Sequence, residues 1–408
     1  MNDAPDVQTQ TEIALEATEK LLANYPPSVT EPVAFLSAQY EAGLAYVSYP
    51  VGYGGLGFAP EVGEVVDARL REAGAPPSGR VTNPIAAGQG TATLILFGSE
   101  DQKQRYIKPL FTGQLYGCQL YSEPGSGSDL ASLATTAVRD GDDWIVNGQK
   151  VWTSGAHLAQ WGLLLARTNP GVVKHAGLTQ FVIDMTAPGV EVRPLRQMSG
   201  GAEFNEVFLT DVRIPDSERL GDVGDGWRGS QATLVFERYN VGRTPNRGEG
   251  RIALAVEAWK RRADKTSPEA IALRDQMMKF WIEEEVLRLL QWRAGELRAS
   301  GNTGPEGSLG KLATSVVGRR LAEWMPSMIG AEGMLIDGYD DPPSRSQRRN
   351  PGEFGEYDIQ RACVGSPGTS IAGGTDQIQR NIIGDRVLGL PREPAVDRDR
   401  PWNELARN

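Results

Sequence analysis

The chain has 408 residues, 40 % hydrophobic and 23 % charged, the balance of a folded protein with material for several domains. Its 42 Lys and Arg against 52 Asp and Glu leave a net charge of −10, which repels a phosphate backbone or an anionic lipid surface and argues against nucleic acid or a membrane as partner. Two cysteines, Cys118 and Cys363, and two histidines, His157 and His175, are too few for a disulfide framework, a thiolate zinc site or a His-rich metal centre. No Gly-x-Ser-x-Gly elbow accompanies either histidine, so the chemistry is expected to come from a carboxylate or from a cofactor. The acidic, amide-rich N-terminus lacks the basic start and apolar run of a signal peptide, and no apolar run is long enough to span a bilayer. A reducing, cytoplasmic setting is expected.

From about residue 8 to 118 the periodicity is helical. Thr11–Ala23, Glu31–Ala45 and Pro60–Ala73 carry apolar residues three or four apart and predict helices joined by tight loops. Between 119 and 225 the period becomes that of strands: Thr135–Arg139, Trp144–Val146, a run from Gln149, Leu163–Thr168, Leu178–Met185, Val190–Leu195 and Val207–Ile214. Asp140-Gly141 and Asn147-Gly148 between such runs predict hairpin turns. Helical periodicity returns after Gly226 and holds to about 335. In Glu283–Arg298 acids lead and bases follow, with Glu284 four residues before Arg288. Asp337–Asp358 is too rich in Pro, Gly and charge to bury a face and predicts a long loop; helix resumes after Gly373 and Gly374, and a polar tail follows Pro391. The expected architecture is α+β and multidomain: an N-terminal helical domain over 1–118, a middle antiparallel β-barrel domain over 119–225, a C-terminal helix bundle over 226–395 with the loop insertion 337–358, and a tail over 396–408.

Gly52-Tyr53-Gly54-Gly55-Leu56-Gly57 satisfies the spacing of a dinucleotide fingerprint, but Pro50 precedes it and helical patterns flank it, so a loop between helices is the better reading. Tyr121-Ser122-Glu123-Pro124-Gly125-Ser126-Gly127-Ser128-Asp129 is a run of small and hydroxyl-bearing residues at the entry to the β-domain. Such a run lets backbone N–H groups and hydroxyls approach a planar, polar ligand closely, but taken alone a plain Gly/Ser loop is the better reading. Lys150-Val151-Trp152-Thr153-Ser154-Gly155 follows, and Ala372-Gly373-Gly374-Thr375-Asp376-Gln377 lies near the C-terminus.

Those three segments in that order, together with Gly148-Gln149-Lys150-Val151-Trp152, Phe204–Phe208, Asp211–Pro215, Gly224–Trp227 and Arg386–Gly389, resemble the acyl-CoA dehydrogenase family over about Glu31–Pro394. The resemblance implies a helical, β-barrel, helical fold, FAD as cofactor and α,β-dehydrogenation of an acyl-CoA thioester. A carboxylate takes the α-proton while the β-hydrogen leaves as hydride to the flavin. Carried over residue by residue, Tyr121, Ser122, Gly127, Ser128, Trp152, Thr153 and Ser154 form the flavin seat. Ser122 stands at the isoalloxazine edge, Ser128 near the pyrophosphate or the acyl-CoA, and Thr375 and Gln377 on the phosphate side.

The base departs from the family's commonest pattern, because glycine, Gly373, stands where a Y-E-G-T motif would carry glutamate. A minority of the family carries the base on the first helix after the β-domain, ahead of an arginine, and here that stretch reads Phe236-Glu237-Arg238. Glu237 is therefore expected to be the catalytic base and Arg238 to orient it or to contact the thioester. A pocket widened at Gly373 would admit a bulky, steroid-like or branched acyl group, as in the actinobacterial subgroup acting on steroid side-chain thioesters. The family's R-x-x-F-G and Q-x-x-G-G motifs, which reach a neighbour's FAD, are replaced by Lys260–Lys265 and Ser327–Glu332. The expectation is a homologous partner subunit in an α2β2 assembly that donates those contacts, with an electron-transfer flavoprotein as electron acceptor; a homo-oligomer using Arg261 or Arg262 is the other reading. Two further readings share the fold: a non-catalytic partner subunit, and a flavin oxidase or monooxygenase.

Overall fold

The computed structural model describes residues 5–241, 247–299, 306–335, 356–392, 394, 397 and 399–406. The chain divides into two compact units, one comprising Met1–Pro194, Glu203–Thr233 and Asp397–Asn408, the other Leu195–Ala202 and Leu234–Val396. The C-terminal end, expected as a polar tail, is thus part of the first unit.

The first unit opens with helices α1 (Val7–Asn24), α2 (Pro32–Glu41), α3 (Pro60–Glu72), α4 (Gly79–Thr82), α5 (Thr91–Phe97) and α6 (Glu100–Thr112). Side-chain caps start three of them. Asp6 accepts from Thr9 N–H, Glu31 from Ala34 N–H, and Ser99 with Gln102 closes a reciprocal capping box. Ala14 and Leu21 of α1 are buried, as are Val62, Val66 and Leu70 of α3, the apolar stripe that their spacing dictates. The glycine-rich run 52–57 is a loop between α2 and α3. At Gly55 an added Cβ would lie 2.0 Å from the Tyr49 carbonyl oxygen, so backbone packing alone accounts for the glycine.

The sheet has strands β1 (Gly117–Leu120), β2 (Thr136–Asp140), β3 (Asp143–Lys150), β4 (Trp161–Arg167), β5 (Leu178–Asp184), β6 (Val190–Leu195), β7 (Phe204–Pro215) and β8 (Arg219–Leu220). Its order is β6-β7-β3-β2-β4-β5-β8, with β1 beside β4. This corrects the expected antiparallel barrel in two ways. The sheet is open, with β6 and the two-residue β8 at its ends, and it is mixed, because β1 enters from α6 parallel to β4 and β2 also meets β4 in parallel. All seven residues of β4 are buried between these neighbours and β5. The Asp140-Gly141 hairpin forms as expected between β2 and β3. Asn147-Gly148 does not turn the chain: β3 runs through it, and the register against β7 shifts there as a bulge. Asn147 Nδ2 donates to Asp211 Oδ1 at 2.9 Å and Asn147 Oδ1 accepts from Asp211 N–H at 2.9 Å, a clamp that uses the side chain expected to make the turn.

The helix α7 (Gly226–Val241) leads toward the second unit, which holds α8 (Arg251–Arg261), α9 (Pro268–Ala299), α10 (Glu306–Trp324), α11 (Glu356–Thr369) and α12 (Asp376–Arg386). Its core gathers Ile252, Ala255, Met277, Phe280, Leu321, Ala322, Met325 and Ile359. Helix therefore resumes at Glu356, ahead of the two glycines. Ile359 is buried in that core, and tertiary packing carries the helix through Pro367. Most of the expected long loop, 337–355, lies outside the described residues. The expected i, i+4 pair is also replaced. Arg288 forks onto Glu285, three residues back, while Glu284 is half-buried and faces Arg251. Burial pushes the Glu284 carboxyl up, and the Arg251 charge only partly offsets it. Helix α9 is apolar on two sides. Ala270, Met277, Phe280, Leu287 and Ala294 are buried, whereas Ile271, Met278, Ile282, Val286, Leu289 and Trp292 form a second, exposed stripe.

Candidate functional site

The segment that leaves β1 at Tyr121 is held by a buried ion pair. Lys150, the last residue of β3, has no exposed surface and donates to Tyr121 O at 3.0 Å, Glu123 Oε1 at 2.8 Å and Leu165 O at 2.8 Å. All three ammonium donors are thereby used. Glu123, 8 % exposed, also accepts from Ala134 N–H at 2.6 Å and Thr135 N–H at 2.9 Å. Burial raises the Glu123 carboxyl, but the Lys150 charge and these donors outweigh it and hold the group below its ordinary value. A loop built on this frame cannot drift, because displacing it would strand two charges and several backbone groups in the interior.

On that frame Ser122 is half-buried, and its carbonyl accepts from Val151 N–H at 2.9 Å, so the Ser122 loop and the Trp152–Ser154 segment are brought together. Tyr121 is turned inward. Its hydroxyl donates to Thr233 Oγ1 at 3.0 Å and accepts from Gln180 Nε2, and Thr233 Oγ1 lies 2.8 Å from Thr93 Oγ1. Tyr121 thus braces the loop from behind through its hydroxyl. Ser126 is buried, its hydroxyl donating to Asp129 O at 2.6 Å, while Gly127 and Ser128 form an exposed tip.

Trp152 has a left-handed backbone, φ 60°, rare for a bulky residue, and its side chain is 61 % exposed with the ring edge-on to Phe204 at 6.0 Å. The start of β7 enforces this. Thr153 N–H donates to Asn205 O at 3.1 Å, Asn205 Nδ2 to Thr153 O at 2.8 Å, and Gly155 N–H to Glu203 O at 2.8 Å. Thr153 is 1 % exposed, yet its hydroxyl has no hydrogen-bond partner among the described residues. Ser154 beside it is half-buried. The indole is thus held open to solvent by a strained backbone, while the hydroxyl of the next residue is enclosed and unsatisfied among the described residues.

The remaining expected site residues belong to the second unit. Gly373 and Gly374, with φ of 68° and 86°, lie in the turn between α11 and α12. Thr375 caps α12, its Oγ1 accepting from Ile378 N–H at 3.2 Å, and Gln377 is exposed beside it. Asp376 pairs with the buried Lys311 at 3.3 Å, and Gln379 Nε2 donates to Gly373 O at 3.0 Å, so the turn is fixed from within. Glu237 and Arg238 fall on α7, and their side chains lie outside the described residues. Arg262 is spent inside its own unit, donating to Asp264 O, Met328 O and Glu269 Oε1.

Comparison with known proteins matches residues 10–114, 118–212 and 224–388 to the acyl-CoA dehydrogenase N-terminal, middle and C-terminal domains. Acyl-CoA dehydrogenase IpdE1 of Mycobacterium tuberculosis is 38 % identical over 354 residues, 86 % of each chain. The chain belongs to the acyl-CoA dehydrogenase family. As an acyl-CoA dehydrogenase it is an oxidoreductase acting on CH–CH groups. The dehydrogenase is also 35 % identical to acyl-CoA dehydrogenase FadE34 of Mycobacterium tuberculosis over 86 % of this chain and 45 % of that one. Among solved structures it is similar to the Tcur3481-Tcur3483 steroid ACAD, at a TM-score of 0.72 and 25 % identity over 95 % of this chain and 99 % of that one. It is likewise similar to the ChsE4-ChsE5 complex from Mycobacterium tuberculosis, at 0.69 and 26 % over 96 % and 100 %.

The groups that hold the dehydrogenase's loops in place, Glu123, Lys150 and Asn205, were not singled out by sequence reasoning for this role. The available signal was a lysine and a glutamate within otherwise small or apolar motifs, where a buried charge demands a partner. Among the described residues no helix is long and apolar enough to cross a membrane, and no group of three His, Cys, Asp or Glu could hold a metal ion.

Proposed function

We propose that the protein catalyses FAD-dependent α,β-dehydrogenation of a bulky, steroid-like acyl-CoA thioester, with Glu237 as base and within a mixed assembly that includes a homologous partner subunit. The observation that carries the cofactor assignment is the Trp152–Thr153 pair: an exposed ring in a strained backbone beside a buried hydroxyl that lacks a partner among the described residues. That pairing fits the flat, polar-edged ring of a flavin, and the Gly127–Ser128 tip suits its phosphates or those of the thioester. When bound, FAD accepts the substrate's β-hydrogen as hydride.

The chain's own part is proton transfer and positioning. Glu237 takes the α-proton on its carboxylate as the double bond forms, and Arg238 orients that carboxylate or holds the thioester end. Leu234, Val235 and Phe236 precede Glu237 in the sequence, and an apolar surround raises a carboxyl toward the working range of a base. Gly373 leaves the acyl end without a side chain, in keeping with a bulky group and with the steroid ACAD similarity. Three observations support a mixed assembly: the similarity to a ChsE4-ChsE5 complex, the engagement of Arg262 within its own unit, and the exposed second apolar stripe of α9. An electron-transfer flavoprotein is the expected electron acceptor.

The test is anaerobic spectroscopy of the purified protein, alone and with a co-expressed homologue, on adding steroid-type or straight-chain acyl-CoA. A yellow protein bleached by the steroid-type thioester is expected. Glu237→Gln should keep the yellow colour and lose bleaching by ~10²–10⁴-fold, the size of a general-base contribution. Bleaching at the parent rate in that variant refutes the base.

A further inference from the structure

The C-terminal stretch carrying Asp397 and Trp402 packs onto the loop that leads into the candidate seat, from more than two hundred residues away along the chain. Trp402 is 6 % exposed, and its indole N–H donates to Ser132 O at 3.2 Å. Its ring stacks on the Arg167 guanidinium at 4.2 Å. Arg167, itself buried at the end of β4, donates to Ala131 O, Leu133 O and Lys174 O at 2.6, 3.0 and 3.1 Å, so the stacked ring covers the group that ties down residues 131–133. The stretch is anchored to the β4–β5 connection as well. Trp402 N–H donates to Val172 O at 2.8 Å, Asn403 N–H to Pro170 O at 3.0 Å, and Pro401 bridges to Val173.

A second tether lies beside the first. Lys174 Nζ donates to both carboxylate oxygens of Asp129, each at 3.0 Å, and also to Asp397. Asp129 in turn accepts from Ser132 Oγ at 2.5 Å through its carboxylate and from Ser126 Oγ at 2.6 Å through its carbonyl. Asp397 and Trp402 therefore hold residues 126–133 through Lys174, through Arg167 and directly at Ser132 O. We propose that this stretch is a strap that pre-sets the Ser126–Leu133 loop for FAD, with Trp402, Lys174 and Asp397 as positioning residues. The proposal rests on the reading that this loop belongs to the flavin seat. A loop already in its bound shape spares the ligand the entropy of ordering it, so the strap acts on affinity without touching the cofactor.

The test is FAD titration of the full-length, flavin-stripped protein in its purified assembly, followed by fluorescence quenching alongside the melting temperature of the flavin-free form. Trp402→Ala is expected to weaken FAD about ten-fold, through loss of a hydrogen bond and a stacked cation, and Trp402→Phe, which keeps a ring over Arg167, about three-fold. Asp397→Asn, an outer-lying change that spares the core, should weaken FAD about three-fold and speed amide exchange at residues 130–133 without lowering the melting temperature. Unchanged FAD affinity in Asp397→Asn and Trp402→Phe overturns the strap while leaving the flavin reading intact. A parent protein that takes up no FAD overturns both.

Discussion

Replacing Lys150 with Met tests whether the buried pair is the frame of the site. Met matches the length and apolar volume of the lysine stem, so the change removes the ammonium with little loss of packing. Three acceptors, Tyr121 O, Glu123 Oε1 and Leu165 O, lose their donor at once, and Glu123 is left as a buried carboxylate with only the Ala134 and Thr135 amides. Breaking a buried pair by removing one partner costs about 3–5 kcal/mol, the cost of the uncompensated charge included. At about 1.4 kcal/mol per ten-fold, a loss near 4 kcal/mol is roughly a thousand-fold. Native-state hydrogen exchange reads it directly. The Arg167 amide, which donates to Thr135 O, should exchange about a thousand-fold faster if it opens with the frame, while amides of α10 in the other unit stay at the parent rate. Adding Glu123→Gln to Lys150→Met removes the stranded charge and should recover about 1–2 kcal/mol. Acceleration of less than about six-fold, under ~1 kcal/mol, would refute the claim that this pair fixes the loop.

Glu123→Gln alone has a pH signature. Because the folded carboxyl sits below its ordinary value of 4.5, its contribution is complete above that value and is lost as the pH falls through the depressed folded value. Parent and variant melting temperatures should differ most near neutrality and converge in acid. Thr153→Val removes a hydroxyl with no partner among the described residues, so the flavin-free form should be as stable or up to ~1 kcal/mol more stable, while FAD binding weakens about five-fold on titration. Ile282→Lys with Val286→Lys places two charges on the exposed stripe of α9. Light scattering should then report a smaller assembly, with the circular dichroism of the helices retained.

What could be read from the sequence was what local chemistry decides. The Asp140-Gly141 hairpin, the apolar stripes of α1 and α3 and the start of helix after Gly226 depend on residues a few positions apart, and they are where the periodicity puts them. Asn147-Gly148 has the same local chemistry and the opposite outcome, because Asp211, 64 positions away, claims the asparagine side chain. Helix α11 was hidden by Pro367 and its glycines, and it exists because Ile359 packs on α10 residues that no local pattern announces. At the candidate site, Ser122, Trp152 and Thr153 were marked by the family resemblance of their segments, whereas the partners that fix them were not. Lys150 reaches Glu123 across 27 positions, and Asn205 reaches Thr153 across 52. Residue type marks what can touch a ligand; the distant partner decides whether it is held still.

The left-handed backbone of Gly373 bears on how such a site can change over generations. A side chain at φ 68° costs ~1–2 kcal/mol, so a codon change to glutamate here would place the acid on a turn that resists it, beside a carbonyl already claimed by Gln379. With the base at Glu237, as proposed, regaining the family's commoner arrangement takes a rebuilt turn as well as a new acid. Neither step is useful without the other. On that reading the position of the base behaves as a ratchet, and descendants of this chain are freer to vary the residues around Gly373 than to return the proton acceptor to it.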